Sequence, residues 1–372
     1  MNDLPFSIEE ILDNMGDGVY VCDRERRIAY WSKAAERITG WAAADVVGRR
    51  CLEDVLNHVD KDGHRLCGEE HCPLHRSMIT GVTTRVPLIV YALAKDGRRI
   101  PMHVTASPLR NAAGEVVGGV ETFRDVTPIL TDMQRAAKIQ QRLLEQQLPD
   151  DPRLQFSTFF MPHDIVGGDF YAIRQIDDDR FGFMLADMEG HGVAAALYTM
   201  HLSLLWERRS ELLRNPPAFA AAVNDELVRV FEKDVTFATS VCGVIDAADG
   251  TLRVSAAGGP PVLIIHPDRT VDRVTSTGLP FGCMEGVFYQ ETRARLRTGD
   301  RILIFSDGAF EIHDAANRQL GVDGILEILR RLGYPQTPLR MGVLEKELLK
   351  FSNDIRLQDD VTFIEVSFQG RG

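Results

Sequence analysis

The stretch from Val166 to Gly192 constrains the fold of this chain more than any other, because it reads as a β-hairpin with an aspartate at each end. Asp169 follows two glycines and opens one apolar run, and Asp187 closes a second one. The acidic break Asp177-Asp178-Asp179 separates them, and apolar runs on both sides of a polar break predict a hairpin. A turn centred on the middle aspartate places Asp169 and Asp187 directly opposite each other.

Two carboxylates in those positions repel each other unless a positive charge lies between them. Directly opposed residues on neighbouring strands have Cβ atoms about 5 Å apart, and like charges there are destabilising. A divalent cation removes this repulsion, and hard oxygen ligands favour Mg²⁺ or Mn²⁺ over zinc. The alternative is an ordinary hairpin, because exposed strand ends are commonly acidic. The hairpin by itself leaves both interpretations open.

The length and composition are those of a globular protein, and the chain is long enough to form two hydrophobic cores. The chain has 372 residues, of which 44% are hydrophobic and 26% charged, and this length predicts two domains. The formal net charge of −12 argues against nucleic-acid or membrane partners. We find no apolar run long enough to span a bilayer and no signal peptide, so a cytoplasmic location is expected. The six cysteines do not make a disulfide framework in a chain this long.

Residues 1–127 have the pattern of an antiparallel sheet with short helices. A hairpin is predicted from Gly18 to Trp31, followed by strands over Thr83–Leu93, Arg99–Leu109 and Val116–Arg124 with turn residues between them. The region resembles a PAS domain at these residues: Gly18-Val19, Asp23, Ile28, Trp31–Ala35, Gly40-Trp41, Val47–Arg49 and Val120–Thr127. The resemblance implies a sensor or dimerisation module and names no ligand.

A group of histidines and cysteines stands out within this first domain. Its members are His64, Cys67, His71, Cys72 and His75. Thiol and imidazole ligands at such spacing can hold zinc, an iron–sulfur cluster or haem, or can form a redox-sensitive pair. The alternative is a polar loop with free thiols, because such spacing gives many false matches.

Residues 128–149 predict a linker helix with a hydrophobic seam. Pro128 follows Thr127, a candidate N-cap, and Leu148-Pro149 ends the helix. The seam runs for about three heptads, the lower limit for a coiled coil. One of its positions is polar, and its members are Leu130, Met133, Ala137, Gln140 and Leu144. We expect a paired signalling helix in a homodimer, and the alternative is a single amphipathic helix packed on either domain.

Residues 150–372 predict a second domain in which strands and helices are interspersed. A helix from Val193 to Leu213 starts at the turn Gly190-His191-Gly192, so its free N–H groups lie beside the paired aspartates and favour a phosphate. Strand runs with helices among them predict two packed sheets flanked by helices. The expected fold class is therefore α+β.

Two further aspartates close strands in this domain. Asp307 follows the apolar strand Ile302–Phe305 and precedes a glycine, and Asp359 precedes the final strand. Each alone is more typical of a turn than of a metal site. Together with Asp169 and Asp187 they make four acidic strand ends, enough to hold two ions. Two ions about 4 Å apart can lower the pKa of a bridging water and clamp a phosphate for in-line attack.

The second domain resembles the SpoIIE/RsbU group of the PPM-type, metal-dependent serine/threonine phosphatases. Its motifs occur in family order, beginning in the linker: Ala137 to Leu144 with Leu148-Pro149, Val166–Tyr171, Ala186-Asp187 with Gly190–Gly192, Leu279–Gly282, Ser306–Gly308 with Glu311, and Asp359–Thr362. The resemblance implies an αββα sandwich of two antiparallel sheets flanked by helices.

The resemblance also implies a site with two Mn²⁺ or Mg²⁺ ions. Asp169 and Asp187 bind metal and carry the chemistry, the Met188 carbonyl is a further ligand, and Asp307 and Asp359 complete the second site. Asp360 remains an alternative to Asp359. The chain departs from the family at Ala257–Pro261, where a histidine and an asparagine are frequent, and at Glu189, where eukaryotic relatives have a histidine. The general acid is therefore unassigned, and His191 is interpreted as part of the turn.

The expected protein is a cytoplasmic signalling phosphatase with three parts. A PAS domain at 1–127 senses a signal or dimerises, the helix at 128–149 transmits it, and the domain at 150–372 hydrolyses phosphoserine or phosphothreonine. The resemblance implies a phosphorylated STAS-domain anti-anti-sigma factor as substrate and partner. The rival interpretation is a catalytically inactive regulator that binds the phosphoprotein, and the presence of all four carboxylates argues against it.

Overall fold

The computed structural model describes residues 5–53, 55–61, 63–68, 71–85, 89–190, 192–231, 236–352 and 357–370. The chain divides into two compact units, Met1–Asp132 and Met133–Gly372, which we call the N-terminal unit and the C-terminal unit. The division falls inside a helix, and the expected domain limits at 127/128 and 149/150 stay predictions. Among the described helices, none combines the length and the apolarity needed to cross a membrane.

The N-terminal unit is built on a single six-stranded antiparallel sheet. Its helices are α1 (Ile8–Asp13), α2 (Lys33–Thr39), α3 (Ala43–Val46) and α4 (Pro73–Thr80), and its strands are β1 (Gly18–Asp23), β2 (Ile28–Trp31), β3 (Thr84–Arg85), β4 (Val90–Leu93), β5 (Arg99–Arg110) and β6 (Val116–Asp125). The strand order is β2-β1-β6-β5-β3, with β4 also paired to β5. The expected antiparallel sheet with short helices is therefore confirmed, although the strand expected over Thr83–Leu93 falls partly on residues 86–88, outside the described residues.

The linker region forms one helix, α5 (Thr127–Leu144), which ends before the predicted Leu148-Pro149. Its N-terminus is capped by the carboxylate of Asp125, which accepts a bond from the Thr127 backbone N–H at 2.8 Å; the expectation that Thr127 itself caps the helix was wrong. Two members of the predicted seam, Gln140 and Leu144, are buried within the C-terminal unit. This half of the seam therefore packs on its own chain, as in the alternative of a single packed amphipathic helix.

The C-terminal unit contains two five-stranded antiparallel sheets. The first has the order β14-β11-β10-β9-β8 and the second β13-β12-β15-β16-β7. The strands are β7 (Leu154–Met161), β8 (Asp169–Gln175), β9 (Arg180–Met188), β10 (Ala238–Asp246), β11 (Thr251–Ala257), β12 (Val262–Ile265), β13 (Val271–Val274), β14 (Thr292–Arg295), β15 (Arg301–Phe305) and β16 (Val361–Phe368). The expected sandwich of two antiparallel sheets is confirmed.

Helices cover the outer faces of both sheets. They are α6 (Val193–Arg208), α7 (Pro216–Phe231), α8 (Gly321–Arg331) and α9 (Met341–Ser352). The predicted helix from Val193 to Leu213 ends at Arg208, and a 3-10 turn, Ser210–Arg214, follows it. Pro216 is the first residue of α7, because proline fits the first helical turn, whose N–H groups have no partner inside the helix.

The central strands are apolar on both faces because each sheet is covered on both sides. In β15, Ile302 and Ile304 point into the core that the two sheets share with α6 and α7. Their neighbours Leu303 and Phe305 point the other way, into a cluster with α8 and α9. This period-two alternation between two buried layers explains why the strand reads as a continuous apolar run. The ends of β8, β9, β15 and β16 lie in one region of the sandwich.

Candidate metal centre

The hairpin of β8 and β9 pairs Asp169 with Asp187. The two residues are direct partners in the antiparallel register, and the prediction that they face each other is confirmed. The register follows from the local sequence, because the turn between Gln175 and Arg180 sits midway between them. Asp169 is fully buried and Asp187 is 8% exposed. Two acidic side chains thus share a largely buried position at the end of the first sheet.

The carboxylate of Asp169 has one oxygen bound and one free. The Thr362 hydroxyl, on β16 of the second sheet, donates to Oδ2 of Asp169 at 2.5 Å. Oδ1 of Asp169 is buried and has no hydrogen-bond partner among the residues that the structure describes. Burial raises the pKa of Asp169 well above its ordinary value, and the nearby charge of Asp360 raises it further. A buried carboxylate with an unpartnered oxygen is costly unless a cation or a proton compensates it.

The Asp307 carboxyl lies close enough to Asp187 to affect its pKa. Burial is the largest cause of a raised Asp187 pKa, followed by the charge of Asp169 and by the nearby carboxyl of Asp307. Asp307 begins a 3-10 turn directly after β15. Its neighbour Gly308 has no room for a side chain, because a Cβ there would lie 2.1 Å from the Asp360 carbonyl oxygen. The glycine therefore lets the end of β15 approach the chain just before β16.

The carboxylates of Asp359 and Asp360 have different surroundings. Both oxygens of Asp360 accept backbone N–H bonds, from His163 at 2.6 Å and from Gly168 at 2.5 Å. Asp360 thereby ties the glycine loop before β8 to the chain before β16. Asp359 is an exposed residue, and its charge also raises the Asp187 pKa. Asp359 is thus close enough to influence the paired aspartates.

Two glycines before Asp169 permit close approach of the backbone. A Cβ on Gly168 would lie 3.1 Å from the carbonyl oxygens of both Met188 and Gly190. A Cβ on Gly167 would lie 2.8 Å from the Asp360 carboxylate. Met188 is the buried last residue of β9, so its carbonyl lies beside the glycine loop. The glycines keep this side of the carboxylate group open to backbone oxygens.

Gln140 on α5 binds this glycine loop, which the sequence did not reveal. Its side-chain amide donates to the Gly167 carbonyl at 2.6 Å and to the Thr199 hydroxyl at 3.0 Å. Its Oε1 accepts from the Gly167 backbone N–H at 3.1 Å. The available signal was a polar residue at an apolar seam position of the predicted helix. The linker helix is therefore hydrogen-bonded directly to the loop that leads into Asp169.

The turn after β9 leads into the N-terminus of α6. Gly190 and Gly192 have φ values of 85° and 86°, a left-handed conformation that favours glycine. Gly192 is the residue before α6 and has no side chain to cap the helix. The first N–H groups of α6 are therefore not bonded to a side chain at this position. His191 lies outside the described residues, and its role stays a prediction.

Among the described residues, the histidine and cysteine group of the N-terminal unit does not form a set of three or more possible metal ligands. His64 is exposed and its ring contacts Asp60 at 3.0 Å, and His71 is exposed. Burial instead raises the thiol pKa of both Cys67 and Cys72. His75 is half-buried on α4. Loop spacing alone could not reveal that the thiols turn inward while two of the histidines face solvent.

A different polar pair lies in the interior of this unit. His58 and Glu121 are almost fully buried, with His58 Nε2 3.8 Å from Glu121 Oε1. Both atoms are buried without a hydrogen-bond partner in the described part of the chain. Burial lowers the pKa of His58 to about 4 and raises the pKa of Glu121 to about 8. The sequence does not reveal this pair, because its two residues are distant in the chain.

The carboxylates of the C-terminal unit fit a divalent cation in their chemistry. Within the described ranges, no three His, Cys, Asp or Glu side chains are already arranged as ligands around one point. Asp169 is instead held by the hydrogen bond from Thr362, and Asp307 lies close to Asp187. Their oxygens are hard donors that suit Mg²⁺ or Mn²⁺. The buried, unpartnered Oδ1 of Asp169 marks where positive charge would be most stabilising.

The fold and the group of acidic strand ends define a class of protein, and comparison with known proteins identifies its family. A family model described as Stage II sporulation protein E (SpoIIE) matches residues 177–369. A model described as the PAS fold matches residues 7–126. The chain belongs to the SpoIIE family and carries a PAS domain before its PP2C-like domain. Both expected resemblances are confirmed.

Three curated relatives are about a quarter identical to this chain within the aligned residues. Phosphoserine phosphatase RsbP of Bacillus subtilis (strain 168) is 27% identical over 183 residues, which cover 48% of this chain and 45% of RsbP. Protein IcfG of Synechocystis sp. is 25% identical, covering 63% of this chain and 41% of IcfG. Phosphoserine phosphatase RsbU of Bacillus subtilis is 25% identical, covering 66% and 72%. The chain spans less than half the length of the first two relatives.

Solved structures of similar fold include a PP2C domain. The SiaA-PP2C domain of Pseudomonas aeruginosa has a TM-score of 0.56 at 20% identity, covering 65% of this chain and 97% of that domain. The RsbU and RsbW domains of Rv1364c from Mycobacterium tuberculosis give a TM-score of 0.51 at 23% identity, covering 60% and 62%. At these identities the comparison establishes the fold, which agrees with the sandwich described above.

Proposed function

We propose that the C-terminal unit is a metal-dependent protein serine/threonine phosphatase. PP2C-type phosphatases generally depend on metal ions, and two relatives are named phosphoserine phosphatases. The observation that carries the proposal is the pairing of Asp169 with Asp187 in one ladder. The unpartnered buried oxygen of Asp169 and the proximity of Asp307 to Asp187 support it.

Two Mn²⁺ or Mg²⁺ ions would be held by residues of four chain segments. The proposed ligands are Asp169, Asp187, the Met188 carbonyl, Asp307 and Asp359. We prefer Asp359 over Asp360 because the two backbone N–H bonds that Asp360 accepts give its carboxylate a structural role, whereas Asp359 is exposed beside the paired aspartates. When bound, the ions would supply the charge that activates water and stabilises the phosphoryl group during transfer.

The chain's own residues would place the phosphate and hold the acidic groups. The first N–H groups of α6, after Gly190 and Gly192, form a helix N-terminus suited to phosphate oxygens. The Thr362 hydroxyl fixes one oxygen of Asp169, which leaves the other directed to a cation. Gly168 keeps the Met188 carbonyl accessible. No general acid is assigned, and His191 is interpreted as a turn residue.

The proposed substrate is a phosphorylated STAS-domain anti-anti-sigma factor. This part rests on family resemblance, in which dephosphorylation lets such a protein capture an anti-sigma factor and release a sigma factor. RsbP and RsbU, both named phosphoserine phosphatases, are consistent with a phosphoserine substrate. The cytoplasmic location expected from the sequence, with no nucleic-acid or membrane partner, belongs to the same proposal.

The PAS domain would control the phosphatase through α5. The three hydrogen bonds of Gln140 connect this helix to Gly167 and Thr199, so a movement of the helix would displace the loop before Asp169. On an adjacent face of the same helix Ile139 is 54% exposed and Leu143 is 45% exposed. With Ala136 they follow heptad spacing, which suits a second copy of the helix in a homodimer.

Phosphate release from a phosphoserine STAS protein tests the catalytic proposal. Wild type would be assayed with Mn²⁺, with Mg²⁺ and with a chelator, beside Asp187→Asn. We expect metal-dependent release that the substitution reduces by at least about 100-fold, because it removes one ligand charge. Glu327→Gln, on the exposed face of α8, is the matched control and should behave as wild type.

The same experiment separates the rival function. Tight binding of the phosphoprotein with no release under any metal would indicate a regulator that binds without hydrolysis. Release that is unaffected by both chelator and Asp187→Asn would contradict the metal site itself.

A further inference from the structure

A short loop near the carboxylate group exposes three large apolar side chains. The loop runs from Leu279 to Phe288, between β13 and β14. Leu279 is 49% exposed, Met284 55% and Phe288 83%. Isolated exposed apolar residues are common, but three on one short loop form a patch, which is typical of an interaction site. We call this segment the apolar loop.

The apolar loop is held firmly by a buried side chain. Asn224 of α7 is fully buried, and its amide donates to the Met284 carbonyl at 2.8 Å while its carbonyl accepts from the Gly282 N–H at 3.1 Å. Asp225 accepts the Gly286 N–H at 3.0 Å. Such a loop cannot readily fold its apolar side chains inward, because its backbone is bonded at three positions.

Close packing of buried aromatic side chains also holds the apolar loop in place. Phe281 and Tyr289 are buried and meet edge to face, with ring centroids 5.6 Å apart. Gly282 has a φ of 90°, and a Cβ there would lie 2.2 Å from the ring of Phe231. Phe281 and Tyr289 anchor the loop, while Leu279, Met284 and Phe288 face solvent.

The loop lies next to the proposed metal ligands. Phe281 and Ala238 exchange two backbone hydrogen bonds, at 2.9 and 2.8 Å. Ala238 is the register partner of Met188, the proposed carbonyl ligand. Two strand spacings therefore separate Phe281 from Met188, about 10 Å. A typical protein interface covers about 800 Å² on each partner, a disc of about 16 Å radius. A protein that inserts a phosphoserine into the site must therefore cover part of this loop.

We propose that the apolar loop is the docking surface for the folded phosphoprotein substrate, with Phe288 and Met284 as its main contacts. This inference rests on the proposed phosphatase function and adds the surface that selects the substrate. The occupant is a folded protein with an apolar patch beside its phosphoserine. A small phosphate ester reaches the metal ligands without touching the loop. The loop therefore affects recognition of a protein and not the chemistry.

Two substrates distinguish docking from chemistry. Phe288→Ala and Met284→Ala would be assayed on p-nitrophenyl phosphate and on a phosphoserine STAS protein, both with Mn²⁺. We expect KM for the phosphoprotein to rise about tenfold, as for loss of an interface hot spot. The kcat for the phosphoprotein and both constants for p-nitrophenyl phosphate should stay within about twofold of wild type. Val343→Ala, a half-exposed residue on α9, is the control and should change neither substrate.

Each other outcome has a definite meaning. Unchanged KM for the phosphoprotein in both variants overturns the docking surface and leaves the phosphatase intact. Equal losses on both substrates also overturn it, because the loop then supports the site structurally. A change in oligomeric state without a change in KM assigns the loop to a second copy instead. Wild type that cleaves p-nitrophenyl phosphate but not the phosphoprotein refutes this substrate class. Wild type inactive on both substrates refutes the proposed function itself.

Discussion

Replacing Gln140 by leucine tests whether α5 controls the loop before Asp169. Leucine has a similar volume but cannot hydrogen-bond, so the substitution leaves the N–H and C=O groups of Gly167 without their partner. Both groups are buried. An unsatisfied buried backbone group costs about 1–3 kcal/mol. The two together should lower the local stability of the loop by at least about 2 kcal/mol, which is roughly 30-fold in its opening equilibrium.

Hydrogen–deuterium exchange of the full chain measures this opening directly. Peptides that span residues 162–175 should exchange roughly 30-fold faster in Gln140→Leu than in wild type. The Mn²⁺ concentration for half-maximal activity should rise in parallel, because Asp169 follows the loop. Gln141→Leu changes an exposed neighbour on the same helix and serves as the control. Equal exchange in wild type and Gln140→Leu, or the same acceleration in both variants, would refute the coupling.

Two further predictions concern buried acidic groups. Thr362→Val removes the hydrogen bond to Asp169 and should weaken Mn²⁺ binding, measured by calorimetry, about tenfold. Thr362→Ser keeps a hydroxyl and should retain the affinity of wild type. Equal Mn²⁺ affinity in the valine variant and wild type would contradict this role of Thr362. In the N-terminal unit, burial raises the pKa of Glu121 to about 8 from an ordinary 4.5, so the folded state binds the proton more tightly than the unfolded state. Stability should therefore fall as pH rises toward 8. The opposite contribution of His58, whose pKa falls from 6.5 to about 4, is complete by about pH 6.5. Thermal unfolding should thus show a decline between about pH 6.5 and 8 that Glu121→Gln abolishes, and a decline that persists in the variant would refute this assignment.

The candidate metal centre shows which kinds of contact are readable from a sequence. The Asp169–Asp187 pairing follows from a single hairpin, because the turn position sets the register of both strands. The choice between Asp359 and Asp360 was open, because both precede the same strand. Only the positions of His163 and Gly168 relative to β16 show that Asp360 is bonded to backbone.

The linker helix shows the opposite case. Heptad spacing predicted a helix and an apolar seam, and both exist, but spacing does not say what the seam packs against. Gln140 and Leu144 are buried in the C-terminal unit, so this part of the seam is used within the chain. The exposed side chains Ile139 and Leu143 lie one position away from the predicted seam, and they are the better candidates for pairing.

Local sequence thus determined the helices and strands, the antiparallel sheets and the opposition of Asp169 and Asp187, because periodicity and turn position act over a few residues. The tertiary structure alone decided the rest: the bond from Thr362 to Asp169, the attachment of Gln140 to Gly167, and the inward turn of Cys67 and Cys72. These contacts join residues that are distant in the chain or depend on which face of a loop is buried. Their free energy comes from desolvation and hydrogen bonding between packed elements, and no local pattern records which elements will pack together.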